Sequence, residues 1–382
     1  MYKDGLPVRV TQVVAIQVRM RSIRSLLAAL ALLGGAALAA PAPAQSGGDA
    51  AVTGRVVAAD GGSAAGLRVV VSGSTFADSA TTDSTGGYTL RLPARVADDS
   101  VELVAREAEP ASGRYHPAAV RLGRRDLAGE HAFVLVPRAW TIPAGTYAGT
   151  TVEISPRLAF QPVCGGCSAF LKRSSLVGGG VRTWPDALFP LRVVFDREFS
   201  PLPISPRDSV SFWRGAEELE RDFGADLLRP APYSASASVG DSVPSDLIFV
   251  LLDPSLRVSG LGTAGAYGDD IVFGEVRFKG SSLLSGGEGR DVVVHELMHA
   301  MGLGHTCSWR SVMAVSTRCP GMRSERATPE DVAYAQVVRR VRQLQRQVGA
   351  RWGLEAALAG EEGVIGSLAA VASSGRPADE RH

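Results

Sequence analysis

After about the first fifty residues, apolar and polar positions alternate with the two-residue period that is typical of β-strands. Short β-branched stretches such as VTGRVVAADGG and SVELVARE are separated by clusters of Gly, Asp, Ser and Pro, and such clusters favour turns. The regular spacing of these stretches over residues 51–137 predicts a small all-β sandwich.

A different pattern begins at Trp184, where apolar strands alternate with helical periodicity. LRVVFD (191–196), DLIFVLL (246–252) and DIVFGEVRF (270–278) predict strands, and a glycine-rich bend separates the last two. Together with amphipathic helices, these strands predict an α+β or α/β domain that contains a twisted sheet.

Two segments carry the apolar repeat of amphipathic helices. In SPRDSVSFWRGAEELERDFG, Ser205 and Pro206 predict the N-cap and the first turn. The apolar stripe expected on this helix consists of Val210, Trp213, Ala216 and Leu219. A second helix is expected from Pro329 to about Leu358. Its expected buried stripe consists of Val332, Ala335, Val338 and Val341 or Leu344.

The first 44 residues predict an export signal. Met20, which is an alternative start of translation, and two arginines precede an apolar run at 26–40, and Ala42-Pro43-Ala44 forms an A-x-A cleavage pattern. The apolar run has fifteen residues, whereas a membrane-spanning helix needs about 20. We therefore expect a periplasmic or secreted protein with no stable membrane span after signal cleavage.

These patterns predict a multidomain chain. Its segments are the signal at 1–44, the sandwich at 51–137, a connector with a CGGC turn at 138–183, the sheet-containing domain at 184–350, and a partly disordered tail at 351–382. The formal net charge of the 382 residues is only +1, and no basic patch with interleaved aromatics is present. Nucleic acid is therefore not an expected partner, and we expect a monomer.

Export changes the interpretation of the four cysteines, because thiols pair outside the cytosol. Four cysteines allow three connectivities. We favour the pairs Cys164–Cys167 and Cys307–Cys319, because each pair is close in sequence and its loop closes at a low entropic cost. A redox role for CGGC is disfavoured, because a glycine-rich segment rather than a helix pattern follows it.

Three of the six histidines fall within eleven residues, in HELMHAMGLGH. His295 and His299 are four residues apart, so that a helix would place both imidazoles on one face. That spacing suits two ligands of one zinc ion, with Glu296 beside them as a non-ligand. Gly302 can end the helix in a left-handed conformation, which lets His305 supply the third ligand. Three protein ligands leave a position for water, as in catalytic zinc sites.

The motif HExxHxxGxxH, followed by Met313 in RSVMAV, resembles the metzincin clan of zinc endopeptidases. The order of elements over about residues 184–345 is most similar to the matrixin-like catalytic domain. This resemblance implies that His295, His299 and His305 bind one catalytic zinc ion and that Glu296 is the general base. It also implies that Met313 forms an apolar floor under the metal.

The resemblance has further implications for ligands and substrate. It implies that an extended protein or peptide substrate pairs with the edge of the strand at 270–278. No fifth, tyrosine ligand is implied, because Val315 stands two residues after Met313. Asp269 and Asp270 offer hard oxygens to calcium, but two acids in a turn are commonly just solvated, so calcium is unsupported.

Two weaker resemblances concern the rest of the chain. VTGRVVAADGG and TTDSTGGYTLRLP resemble the carboxypeptidase regulatory-like (transthyretin-like) sandwich, which implies an accessory or binding role. His116 and His131 lie in this segment as isolated packing or surface residues. QPVCGGCS is faintly similar to the cysteine switch of matrixin propeptides, which would give Cys164 a role in latency. Val163 replaces the arginine of that motif.

We therefore predict a zinc-dependent endopeptidase that hydrolyses peptide bonds with a zinc-activated water and Glu296 as the base. The alternative is a non-enzymatic secreted binding module whose zinc site is structural or degenerate. Glu296 separates the two hypotheses, because a purely structural site does not need a carboxylate at this position.

Overall fold

The structure is a computed structural model of the 382-residue chain. It describes residues 50–92, 100–109, 113–123, 126–127, 129–154, 162–163, 167–168, 183–197, 200–232, 246–267, 270–281, 288–305, 311–314, 324 and 326–349. The predicted signal and C-terminal tail lie outside these residues, as do the side chains of all four cysteines. Over the described residues the protein is mixed α/β with several sheets and three α-helices, which confirms the predicted mixture of strands and helices.

Seven strands form the N-terminal part, which we call the two-sheet region. They are β1 (Ala50–Ala58), β2 (Arg68–Ser72), β3 (Ala77–Thr81), β4 (Gly87–Leu92), β5 (Ser100–Arg106), β6 (Ala118–Gly123) and β7 (Glu130–Leu135). One sheet has the order β4-β1-β7 and the other the order β3-β2-β5-β6. Because side chains alternate along each strand, both sheets contribute buried residues, among them Leu90 and Leu103, to one shared core.

Two short hairpins follow the two-sheet region. The first pairs β8 (Ala139–Thr141) with β9 (Thr151–Glu153), and the second pairs β10 (Pro162–Val163) with β11 (Cys167–Ser168). The backbone of Cys167 therefore lies opposite Val163 in a two-stranded ladder.

The second large sheet has the order β13-β12-β14-β16-β15. Its strands are β12 (Leu191–Phe195), β13 (Leu228–Pro230), β14 (Leu247–Leu252), β15 (Gly260–Tyr267) and β16 (Asp270–Phe278). All neighbours are parallel except β15, which is antiparallel to β16. Every residue of β14 is buried, as expected for a parallel strand that is covered on both faces.

The position of β15 corrects two predictions. The glycine-rich segment between the last two predicted strands is itself a strand, paired with β16 from Gly260↔Phe278 to Tyr267↔Asp270. Consequently β15, and not the strand at 270–278, forms the edge of the sheet. Glycines were interpreted as turn signals, but in a strand they also mark places where another part of the chain approaches closely.

Three helices complete the sheet-containing part, which we call the sheet–helix region (183–349). They are α1 (Pro206–Phe223), α2 (Glu288–Ala300) and α3 (Pro329–Val348). Ser205 caps α1 in a capping box with Asp208, and Gly224 ends it with φ 65°. This start agrees with the predicted N-cap.

The apolar stripe predicted for α1 is partly wrong. Val210 is 53% exposed, whereas Phe212 is fully buried. Phe212, Ala216, Leu219 and Phe223 are buried in the core and follow the 3.6-residue period, whereas a strict spacing of three drifts away from the buried face. Phe212 makes edge-on contacts with Phe195 and Phe278, so α1 packs on the sheet through this ring.

Helix α3 is shorter than predicted. Thr328 and Asp331 form its capping box, and Gly349, with φ 62°, ends it at Val348 rather than near Leu358. A glycine in the left-handed conformation is a common helix stop, so this helix ends there although helix-favouring residues follow in the sequence.

The two-sheet region and the sheet–helix region share a packed interface. Val134 of β7 belongs to the same hydrophobic core as Val337 and Val341 of α3. The β8–β9 hairpin packs on α3 as well, and the Trp140 indole N–H donates to the Gln336 side chain at 3.0 Å. The described parts of both regions belong to one compact unit. None of the helices in the described residues is long and apolar enough to cross a membrane.

Candidate metal centre

Helix α2 places His295 and His299 one turn apart, and hydrogen bonds fix the orientation of both rings. The Nδ1 atom of His295 lies 2.7 Å from the carbonyl oxygen of Val312, and that of His299 lies 2.8 Å from the carbonyl oxygen of Leu303. A carbonyl oxygen can only accept, so each Nδ1 carries the proton. Each Nε2 therefore carries the lone pair of its ring, as in metal-binding histidines.

The chain turns sharply where α2 ends. Gly302 has φ 102°, in the left-handed region that favours glycine, and its N–H donates to the carbonyl oxygen of His299 at 2.9 Å. The indole N–H of Trp184 donates to the carbonyl oxygen of Ala300 at 2.9 Å, which anchors the last turn of the helix. After this turn, His305 comes back to the face that carries the first two histidines.

The three Nε2 atoms converge on one point. Their separations are 3.1 Å (His295–His299), 3.0 Å (His299–His305) and 3.3 Å (His295–His305). Three nitrogens that bind one tetrahedral zinc ion at about 2.0–2.1 Å would lie about 3.3 Å apart. The Nε2 lone pairs of His295 and His299 point at each other and repel, and a cation bound between them would turn this repulsion into attraction to the metal. The donor set therefore fits a metal ion.

Glu296 lies beside this cluster and is 6% exposed. Its side chain packs over the edge strand: a Cβ atom added to Gly260 would lie 2.6 Å from its Cγ and 2.7 Å from its Oε1. At Gly262, an added Cβ would lie 2.2 Å from the carbonyl oxygen of Glu296 and 2.6 Å from Cβ of His299. Only glycine therefore allows β15 to lie this close to α2.

The turn at 311–314 orients the His295 ring through the carbonyl oxygen of Val312. Met313 in this turn is 1% exposed and belongs to the large core. The carboxylate of Asp331 accepts hydrogen bonds from the Ser311 hydroxyl and from the Val312 N–H, the latter at 3.1 Å. Burial raises the pKa of Asp331, and these donors oppose the rise. Asp331 thus holds the peptide unit whose carbonyl oxygen orients His295.

Several predicted residues lie away from this cluster or outside the described residues. The Asp270 carboxylate pairs with the Arg346 guanidinium, whereas Asp269 is not described. His116 and His131 are buried in the two-sheet region, where His116 Nε2 lies 2.6 Å from the carbonyl oxygen of Ile154. The predicted pairings Cys164–Cys167 and Cys307–Cys319 stay predictions, because these side chains lie outside the described residues. Val315 also lies outside them.

Two supports of the cluster were not predicted from the sequence. The pattern TPED predicts a capping box at Thr328 and Asp331. It does not show that the Asp331 carboxylate also accepts a hydrogen bond from Ser311, twenty residues earlier. The alternating glycines 260 and 262 have a strand period of two, which could have indicated a close approach in a strand.

Comparison with known proteins adds no identification: the chain matches no protein-family model and no curated protein.

Proposed function

We propose that this protein is a zinc-dependent endopeptidase with a metzincin-like, matrixin-type catalytic domain. The observation that carries the proposal is the convergence of three Nε2 atoms within 3.0–3.3 Å. Two of these imidazoles are oriented from behind by backbone carbonyls, and an acidic side chain lies next to them. A closed structural site would use a fourth protein ligand, usually cysteine, and among the described residues the cluster has three members.

The protein's own residues provide the proton transfers of hydrolysis. His295, His299 and His305 would hold a zinc ion, which would supply Lewis acidity for the attacking water and the scissile carbonyl. Glu296 accepts the proton of that water and then delivers it to the leaving amine. Burial of Glu296 against Gly260 keeps its carboxylate in one position, which favours both transfers.

We place an extended peptide substrate along the free edge of β15. This strand lies at the end of the sheet order and contacts α2. An edge strand offers unpaired N–H and C=O groups to which a peptide can add as a further strand. Gly260 and Gly262 bring this edge next to Glu296 and His299, so that a bound peptide would run past the metal centre.

We further propose that the protein is exported, because of the signal pattern at 1–44, and that it acts as a monomer with one zinc ion and two disulfides. Calcium binding at Asp269 and latency through Cys164 are not part of this proposal, because both residues lie outside the described residues.

The test is a comparison of Glu296→Gln with the matched control Glu217→Gln, which makes the same chemical change at an exposed position of α1. Zinc content and cleavage of casein are measured for both full-length variants. We expect one zinc ion per chain in each, and a loss of about 10²–10⁴-fold in kcat/KM for Glu296→Gln alone. Zinc binding without cleavage by the unsubstituted protein would instead favour the non-enzymatic binding module.

A further inference from the structure

A cavity of about 410 Å³ lies next to the turn that ends α2. The aromatic side chains that line it are those of Trp140, Trp184, Phe189 and Phe223. Residues 301–303 of the turn and the α3 residues 335–343 supply further parts of the wall. The three histidines and Glu296 are not among the residues that line it. This cavity is therefore separate from the candidate metal centre, and its volume falls in the range of small-molecule sites.

Two polar residues of the wall, Thr183 and Arg340, differ in their access to the cavity. The Thr183 hydroxyl is buried, in a residue that is 8% exposed, and it has no partner among the described residues. Its oxygen is closed to solvent and therefore also to a ligand in the cavity, so Thr183 contributes no hydrogen bond to recognition.

Arg340 is the second group. Its guanidinium donates to Gln343 Oε1 at 2.6 Å and to the carbonyl oxygen of Ala59 at 3.4 Å, and no carboxylate of the described residues pairs with it. The neighbouring Arg339 differs, because it pairs with Asp186 and its guanidinium stacks on the Phe189 ring at 3.9 Å. Arg340 is thus the cation of the cavity that is not neutralised by the described part of the chain.

We propose that the cavity binds a small amphipathic carboxylate. The aromatic walls bury its apolar body, which is the main favourable contribution to binding. The remaining N–H groups of Arg340 donate to the carboxylate in the charge-assisted geometry that guanidinium favours. A cationic ligand is disfavoured, because two arginines line the same wall.

Decanoate is the probe, and its binding to the full-length protein is measured by isothermal titration calorimetry. We expect one site per chain. Arg340→Gln should weaken the affinity about tenfold or more, because a hydrogen bond to a charged group is lost. Arg214→Gln, which removes the same charge from an exposed position of α1 outside the cavity, should leave the affinity unchanged. Thermal melting of each variant shows whether it is folded.

Two further measurements test the cavity itself. Ala335→Phe, which places a ring in the cavity wall, should abolish binding, and the neutral analogue decanamide should bind at least about tenfold more weakly than decanoate. Absence of decanoate binding, or equal affinity of the unsubstituted protein, Arg340→Gln and Ala335→Phe, would overturn the proposal. The readout is binding without turnover, so it is independent of whether the protein is a peptidase.

Discussion

The contact between Gly260 and Glu296 allows a quantitative prediction. In Gly260→Ala, the new Cβ would lie 2.6 Å from Cγ, 2.7 Å from Oε1 and 2.9 Å from Cδ of Glu296. Carbon atoms in normal contact lie about 3.5–4.0 Å apart, so the Glu296 side chain must move by about 1 Å. A misplacement of about 1 Å in a reacting group can lower the rate about 10²-fold, which corresponds to about 2.7 kcal/mol of transition-state stabilisation.

The assay is kcat/KM for peptide cleavage together with zinc affinity. Gly260→Ala should lower kcat/KM about 10²-fold while zinc affinity stays unchanged, because Glu296 is not a ligand. Gly280→Ala is the control, since an added Cβ there meets no atom within 4 Å. In Gly262→Ala the new atom meets the α2 backbone and Cβ of His299, so zinc affinity should fall as well. Full activity of Gly260→Ala would refute the assignment of Glu296 as the base.

Two other predictions concern stability. Asp331→Ala removes the acceptor of the buried Val312 N–H and Ser311 hydroxyl. We expect the free energy of unfolding in urea to fall by about 2–4 kcal/mol and zinc binding to weaken about 10–100-fold. An unchanged unfolding midpoint would contradict this role of Asp331. Hydrogen bonds from Thr85 and Gly87 lower the pKa of Asp83 below its ordinary value of 3.8. Their stabilisation is therefore present above pH 3.8 and is lost as the pH falls through the lower folded pKa. Asp83→Asn should make the melting temperature depend less on pH below pH 4. An identical pH dependence in both proteins would contradict the lowered pKa of Asp83.

Elements with strong local signals were predictable from the sequence. The start of α1 follows from Ser205, Pro206 and Asp208, because a capping box and a first-turn proline act within four residues. The spacing of the clustered histidines likewise requires only a helix and a glycine turn. For these features, local propensity and tertiary structure agree.

Features that depend on distant parts of the chain were not predictable. Val210 has the same apolar character as Ala216, and only the orientation of α1 on the sheet decides that it is exposed. The segment of β15 contains three glycines and looks like a turn, but its pairing with β16 makes it a strand. The second role of Asp331 depends on how closely α3 approaches the turn at 311–314. Tertiary packing, rather than propensity, determines each of these outcomes.

X-ray absorption at the zinc edge of the purified full-length protein is the most direct test of an open metal site formed by His295, His299 and His305. We predict a first coordination sphere of three imidazole nitrogens and one light oxygen donor at about 2.0–2.1 Å. A sulfur donor at about 2.3 Å, or four protein ligands, would indicate a closed or cysteine-bound site and would contradict an open three-histidine centre.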